Sequence, residues 1–142
     1  MAQVVAEQIA LRHGLGDRKG VDAVAFDSAG THAHHIGERM DPRAASALTS
    51  RGYSVGKGRS RRVMEQDFEK FDLILAMDRS NLVALRDLCP EQHSRKLGLL
   101  LDYAHGMVGQ EVPDPYYGNA LGFERVLDLC ELGATGLVKT LR

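Results

Sequence analysis

Apolar and polar positions fall in blocks along the chain, and the blocks switch period. Ala2, Val5, Ala6 and Ile9 lie at i, i+3, i+4 and i+7, which predicts a helix over residues 2–13. Gly14 is its natural stop. Val24-Ala25-Phe26 is a short apolar run, read as a buried strand ending at Asp27, with Ser28-Ala29-Gly30-Thr31 as loop. Asp41-Pro42 opens the clearest helix: Asp41 caps free N–H groups, and Pro42 sits where its missing N–H does no harm. Ala44, Ala45 and Leu48 form its apolar stripe and Gly52 closes it. Leu73-Ile74-Leu75-Ala76-Met77 is continuous and apolar, bounded by Asp72 and Asp78, which suits a parallel strand covered on both faces. Ser80 is then placed as the cap of a helix carrying Leu82, Leu85 and Leu88, which stops before Pro90. Residues 96–100 form a weaker strand. Phe123, Val126, Leu127, Cys130, Ala134, Leu137, Val138 and Leu141 hold one face of a final helix for about five turns.

This alternation predicts an α/β domain, a parallel sheet with helices on both faces. At 142 residues the chain suits a single domain over 1–142. It begins with a helix, whereas parallel domains of this size usually open on a central strand feeding an active-site loop. Lys plus Arg is 18 against 19 for Asp plus Glu, a net charge of −1, so nothing draws it to nucleic acid or anionic lipid. No apolar run approaches the ~18 residues that cross a bilayer. The first residues lack the basic region of a secretory signal. Two cysteines, Cys89 and Cys130, make no disulfide framework, and a reducing cytoplasmic setting is expected.

Three segments in order resemble the low-molecular-weight protein-tyrosine phosphatase family. The first is Asp27-Ser28-Ala29-Gly30-Thr31, with Gly37-Glu38 and Asp41-Pro42-Arg43-Ala44 beyond it. The second is residues 71–78, Phe71 to Asp78, with Ser80-Asn81-Leu82. The third is Val112-Pro113-Asp114-Pro115-Tyr116-Tyr117-Gly118. The resemblance implies the phosphotyrosine phosphatase I-like fold. In the family a strand and a Cys-x5-Arg phosphate loop precede a helix that often starts Met-Ala, as Met1-Ala2 does here. The expectation is therefore a domain whose first central strand and nucleophile loop are missing, with two half-sheets left unpaired at their edges. That implies a fragment of a longer protein, a rearranged sheet, or a strand from a second copy.

Cys89-Pro90-Glu91-Gln92-His93-Ser94-Arg95 fits Cys-x5-Arg, but 13 arginines produce such a match by chance roughly 18% of the time. Pro90 removes an N–H from the anion nest and Glu91 repels a phosphate dianion. Cys89 is read instead as a half-buried cysteine at a helix C-terminus, before a surface turn.

The resemblance implies phosphotyrosine or aryl phosphate hydrolysis through a phosphocysteine, with Asp114 as the acid that protonates the leaving phenol. Pro113 and Pro115 stiffen its loop, and a residue before proline is held extended. Tyr116 and Tyr117 would wall the slot for the phenyl ring, and His34 and His35 would shape its opposite wall. Ser28 would support the phosphate loop, or simply end a strand. Gly58 stands where the family has a supporting histidine. His32, His34 and His35 could also hold a metal, but no cysteine or acidic pair lies nearby, so neither a metal nor a cofactor is expected. Lys57, Arg59, Arg61 and Arg62 lack the interleaved aromatics of a nucleic-acid site. Without its loop the chain is expected to be inactive. The alternatives are a non-catalytic binding module, a homo-oligomer formed through exposed sheet edges, and an arsenate reductase, which Cys89 and Cys130 are too far apart in sequence to serve.

Overall fold

The computed structural model describes residues 1–15, 24–31, 37–56, 58, 60–114 and 120–141. Helix α1 spans Ala2–Arg12 and buries Val5, Ala6, Ile9 and Ala10. Gly14, at φ 76°, turns the chain out of it. Helix α2, Pro42–Ser50, starts as its sequence dictates: the Asp41 carboxylate accepts from the Arg43 amide. Strands β1, Ile74–Ala76, and β2, Leu97–Leu99, pair in parallel, with Ile74 opposite Leu97 and Ala76 opposite Leu99. Between them run helix α4, Arg79–Leu88, and a 3-10 turn, Glu91–Lys96. A second 3-10 turn, Leu100–Tyr103, leads toward helix α5, Ala120–Thr140.

The period of two in β1 sorts its side chains between two cores. Ala76, flanked by half-buried Ile74, packs with Phe68, Leu82, Leu85 and Leu99. Met77 packs on the opposite core of α1, α2 and α5, which holds Leu48, Leu101, Leu127 and Val138. This is the α/β arrangement expected: a parallel sheet with helices on both faces.

Several local readings need correction. Residues 24–26 form no strand. Among the described residues no ladder partner lies beside them; Phe26 and Val24 are half-buried against the α1 core, and the Phe26 carbonyl accepts from the Gln3 side chain at 3.5 Å. The cap of α4 is Asp78, not Ser80, and its carboxylate accepts from the Asn81 amide at 2.8 Å. A charged oxygen there also opposes the positive end of the helix dipole. Leu88 is 47% exposed. Three steps of 100° per residue fall 60° short of a full turn, so Leu82, Leu85 and Leu88 drift off one face. Leu141 lies past the end of α5 and is exposed.

One helix was not expected. Helix α3, Glu65–Lys70, has a single fully buried apolar residue, Phe68, and its other buried side chain is Asp67. A six-residue helix carries too few apolar positions to show a period.

Candidate active site

Parallel sheets place their sites at the carboxyl ends of the strands. Beyond the end of β1, the Met77 carbonyl accepts from the Val112 amide at 2.8 Å. Val112 is buried, and Asp114 follows two residues later on the surface. One residue past Met77, Asp78 starts α4. Asn81 in its first turn donates from Nδ2 to Thr31 Oγ1 at 3.1 Å. The Ser28–Thr31 segment is in turn fixed at both ends. Gly30 bridges in parallel to Arg62, and Ser28 donates from its hydroxyl to Gln3 Oε1 at 2.6 Å. Ser28 therefore serves the start of α1 and does not end a strand. Segments far apart in sequence are thus linked past the end of β1, Thr31 to Asn81 and Met77 to Val112.

The loop that carries Asp114 is held by side chains. Asp102 accepts from the Gly109 amide at 2.8 Å, and Arg79 donates to the Gly109 carbonyl at 2.6 Å. The Arg79 amide donates to Glu111 at 2.8 Å. Both polar backbone atoms of Gly109 are thus satisfied by side chains from two other segments, and φ of 80° at Gly109 suits glycine.

A second network orders Asp27, beside Ser28. Arg61 contacts Asp67 through both terminal nitrogens, at 2.9 and 3.1 Å, and reaches Asp27 at 3.1 Å. Asp67 also accepts from the Met64 amide at 2.8 Å. The Arg61 hydrogen bonds hold the Asp67 carboxyl below its ordinary pKa, against the opposing pull of burial. Arg61, about one-third exposed, is thereby committed to two carboxylates of its own chain.

Neither cysteine is placed as a nucleophile. Cys89 caps the C-terminus of α4 and donates to the Pro90 carbonyl at 3.3 Å, and a 3-10 turn follows where a phosphate loop would need a nest. Burial raises its thiol pKa. Cys130 is 1% exposed in the middle of α5, and burial pushes its thiol up to about 11. A nucleophilic thiol needs the opposite shift.

Tyr116, Tyr117, His34 and His35 lie outside the described residues, as do His32, Lys57 and Arg59. Gly58 is exposed. The described residues hold no group of three metal-ligating side chains, and no helix among them is long and apolar enough to cross a membrane. A cleft of about 500 Å³ adjoins the loop that carries Asp114, lined by Arg79, Val112, Pro113 and Arg125 among others. A larger one, about 660 Å³, lies beside Tyr103 and the second half of α5, away from these segments.

Comparison with known proteins matches this arrangement. The profile of the low molecular weight phosphotyrosine protein phosphatase family matches residues 3–142. A low molecular weight protein-tyrosine-phosphatase of Streptomyces coelicolor is 40% identical over 122 residues, 84% of this chain and 74% of that protein. The corresponding YfkJ of Bacillus subtilis is 33% identical over 143 residues, 100% of this chain and 86% of that protein. A crystal structure of a protein tyrosine phosphatase from Entamoeba histolytica, with Hepes in its active site, superposes with a TM-score of 0.89 at 38% identity. It covers 99% of this chain and 86% of that one. With the site segments, the parallel sheet and these relatives in agreement, the chain belongs to the low-molecular-weight protein-tyrosine phosphatase family.

Proposed function

We propose that residues 1–142 form one domain that supplies the acid side of aryl phosphate hydrolysis, through Asp114, but no nucleophile. The single observation behind this reading is the placement of the two thiols. Hydrolysis through a phosphocysteine needs a thiolate to attack phosphorus while an acid protonates the leaving phenol, and then water activated by the same carboxylate. Asp114 follows two residues after Val112, whose amide is bonded to the Met77 carbonyl just past β1. Cys89 and Cys130 are a helix cap and a core residue. Tyr116 and Tyr117 wall the phenyl slot in this reading, opposite His34 and His35. The substrate class is phosphotyrosine on a protein, or a small aryl phosphate, once a Cys-x5-Arg loop is present. No metal or cofactor takes part, and a cytoplasmic setting fits the two free thiols.

The test has two parts. The 142-residue chain, its Cys89→Ser variant and its Asp114→Asn variant are assayed on para-nitrophenyl phosphate. All three should be silent, and turnover that disappears in Cys89→Ser overturns the assignment of the thiols. The strand and Cys-x5-Arg loop of the Bacillus subtilis relative are then fused ahead of Met1. The fusion should hydrolyse aryl phosphates, and Asp114→Asn in it should lower kcat about 10²- to 10⁴-fold. An unchanged kcat rejects Asp114 as the acid.

A second reading, a binding module that self-associates, rests on the edge of β1. Among the described residues β1 pairs with β2 alone, which leaves its other edge open. A mass by sedimentation that rises with concentration supports this reading, and a constant monomer mass removes it.

A further inference from the structure

We infer that the first turn of α4, Arg79 to Leu82, is a latch shared by two segments: it couples the loop that carries Asp114 to the Ser28–Thr31 segment, so that the two tighten or loosen together. The inference rests on where the hydrogen bonds of this turn go. On one side the Arg79 amide donates to Glu111 at 2.8 Å, and the Arg79 guanidinium donates to the Gly109 carbonyl at 2.6 Å. On the other side Asn81 donates from Nδ2 to Thr31 Oγ1 at 3.1 Å. No hydrogen bond between described residues joins Thr31 directly to Gly109, Glu111 or Val112. The hydrogen-bonded path from one segment to the other therefore runs through this turn.

The turn is built to give way as a unit. The first amides of a helix have no carbonyl partner inside it and depend on outside acceptors. Here the Arg79 amide takes its acceptor from Glu111, and the Asn81 amide takes the Asp78 cap at 2.8 Å. Both acceptors are carboxylates at the positive end of the helix dipole, where they favour the wound turn. Burial adds little, since Arg79 and Ser80 are exposed and Leu82 is the first buried residue of α4. A segment with few buried contacts opens locally, ahead of the rest of the fold. When Glu111 lets go, the Arg79 amide loses its acceptor and the turn frays. Asn81 sits in that same turn and then no longer holds Nδ2 against Thr31. Wound and frayed are thus the two states of one element, and each segment biases the balance between them.

Both segments carry amides that report on them. The Gly30 amide donates to the Arg61 carbonyl at 2.8 Å, and the Gly30 carbonyl accepts from the Val63 amide at 2.9 Å. Across α4, the Gly109 amide donates to Asp102 and the Val112 amide to the Met77 carbonyl. With Asp114 as the acid, a substrate that grips one segment orders the other before chemistry begins. Only that consequence rests on the phosphatase reading; the coupling itself does not.

Hydrogen exchange, residue by residue, in the 142-residue chain tests the coupling. Glu111 is exposed, so Glu111→Ala keeps the fold. Exchange of the Arg79 amide should quicken about tenfold or more, the scale of a hydrogen bond to a charged group. Exchange at Gly30 and Val63 should quicken about twofold or more, the low end of coupling through such a network. In the other direction, Thr31→Val keeps the shape and removes the acceptor. It should quicken exchange at Asn81 and, about twofold or more, at Gly109. Thr31→Ser keeps the hydroxyl and should restore the wild-type rates. Unchanged rates on the far side of α4 in either Glu111→Ala or Thr31→Val overturn the inference. So does a Thr31→Ser chain that behaves like Thr31→Val. A rise by the same factor at Leu127 and Val138 in α5 also overturns it, because the opening is then global. None of these outcomes depends on turnover, so failure here is distinct from failure of the phosphatase reading.

Discussion

Gly136 of α5 lies directly against the carbonyl of Tyr103, with no room for a Cβ between them. Backbone faces backbone there, and neither can rotate away. Alanine gains about 1 kcal/mol over glycine in a helix interior. Overpacking typically costs 1–3 kcal/mol or more. Against a rigid carbonyl the second effect wins, and Gly136→Ala should destabilise the chain by about 2 kcal/mol in urea unfolding. At Gly133 a Cβ would instead meet Leu100, chiefly at Cγ, 2.7 Å away. The Leu100 carbonyl there is farther off, at 3.2 Å, so the clash falls mainly on a side chain and Gly133→Ala should cost less than Gly136→Ala. The reverse order would mean that α5 does not seat on the Leu100–Tyr103 turn as described.

The Arg61–Asp67 pair sets a pH dependence whose sign is fixed. The Asp67 carboxyl is held below its ordinary value, first by the Arg61 hydrogen bonds. A carboxyl with a lowered native pKa stabilises the fold fully above its unfolded value, about 3.9. That contribution fades as pH falls through the lower native value. Stability of the wild-type chain should therefore fall from about pH 5 downward, and Asp67→Asn should flatten this slope while lowering stability at pH 7. Removing one partner of a fully buried pair costs 3–5 kcal/mol; Arg61 is about one-third exposed, so about 2–3 kcal/mol is expected. Urea unfolding of both chains from pH 3 to 7 checks the slope.

Thiol chemistry separates the two cysteines. Burial raises both pKa values, that of Cys130 to about 11. At pH 7 a thiol-disulfide reagent should label Cys89 slowly and leave Cys130 untouched until the chain unfolds. Labelling of Cys89 should quicken as pH rises past 9, because the thiolate is the reacting form. Fast labelling of Cys89 at neutral pH would mark an activated thiol and contradict its place as a helix cap.

Strong periodicity carried most of the fold into view. Seven of the eight apolar positions read for the last helix lie inside α5 and are buried; Leu141 falls beyond its end. The Asp41-Pro42 start and the Gly14 and Gly52 stops follow from local chemistry, and each is found. What stayed hidden depends on partners distant in sequence. Nothing near Asp67 announces that its carboxylate is buried, because Arg61 supplies the compensation. Residues 24–26 have the composition of a strand, yet a strand exists only when a neighbour pairs with it. At the site, Asp114 was singled out by the family resemblance of its segment, since Pro-Asp-Pro alone reads equally as a plain turn. The residues that fix its loop gave no signal, since Arg79 reaches Gly109 across 30 positions of sequence.

That hidden clamp leads to a measurement on the loop itself. The Gly109 amide is donated to Asp102, and the Val112 amide to the Met77 carbonyl. Asp102 also accepts from the Leu99 amide at 3.2 Å, so one half-buried carboxylate ties the end of β2 to the loop that carries Asp114. In Asp102→Asn one of these two bonds survives only if the amide oxygen faces it, because the nitrogen cannot accept. Exchange of the Gly109 amide with solvent deuterium should speed up at least tenfold, the factor that losing one charge-assisted hydrogen bond of about 1.5 kcal/mol produces. Arg79→Ala removes the bond to the carbonyl of the same residue, in the next peptide group, and should speed up exchange at Val112 as well. If both variants leave Gly109 and Val112 as protected as in the wild type, the Met77 carbonyl alone holds the segment that presents Asp114. Exchange within α5 serves as the internal reference, since neither Arg79 nor Asp102 hydrogen-bonds to it among the described residues, and a rise there would report global destabilisation instead.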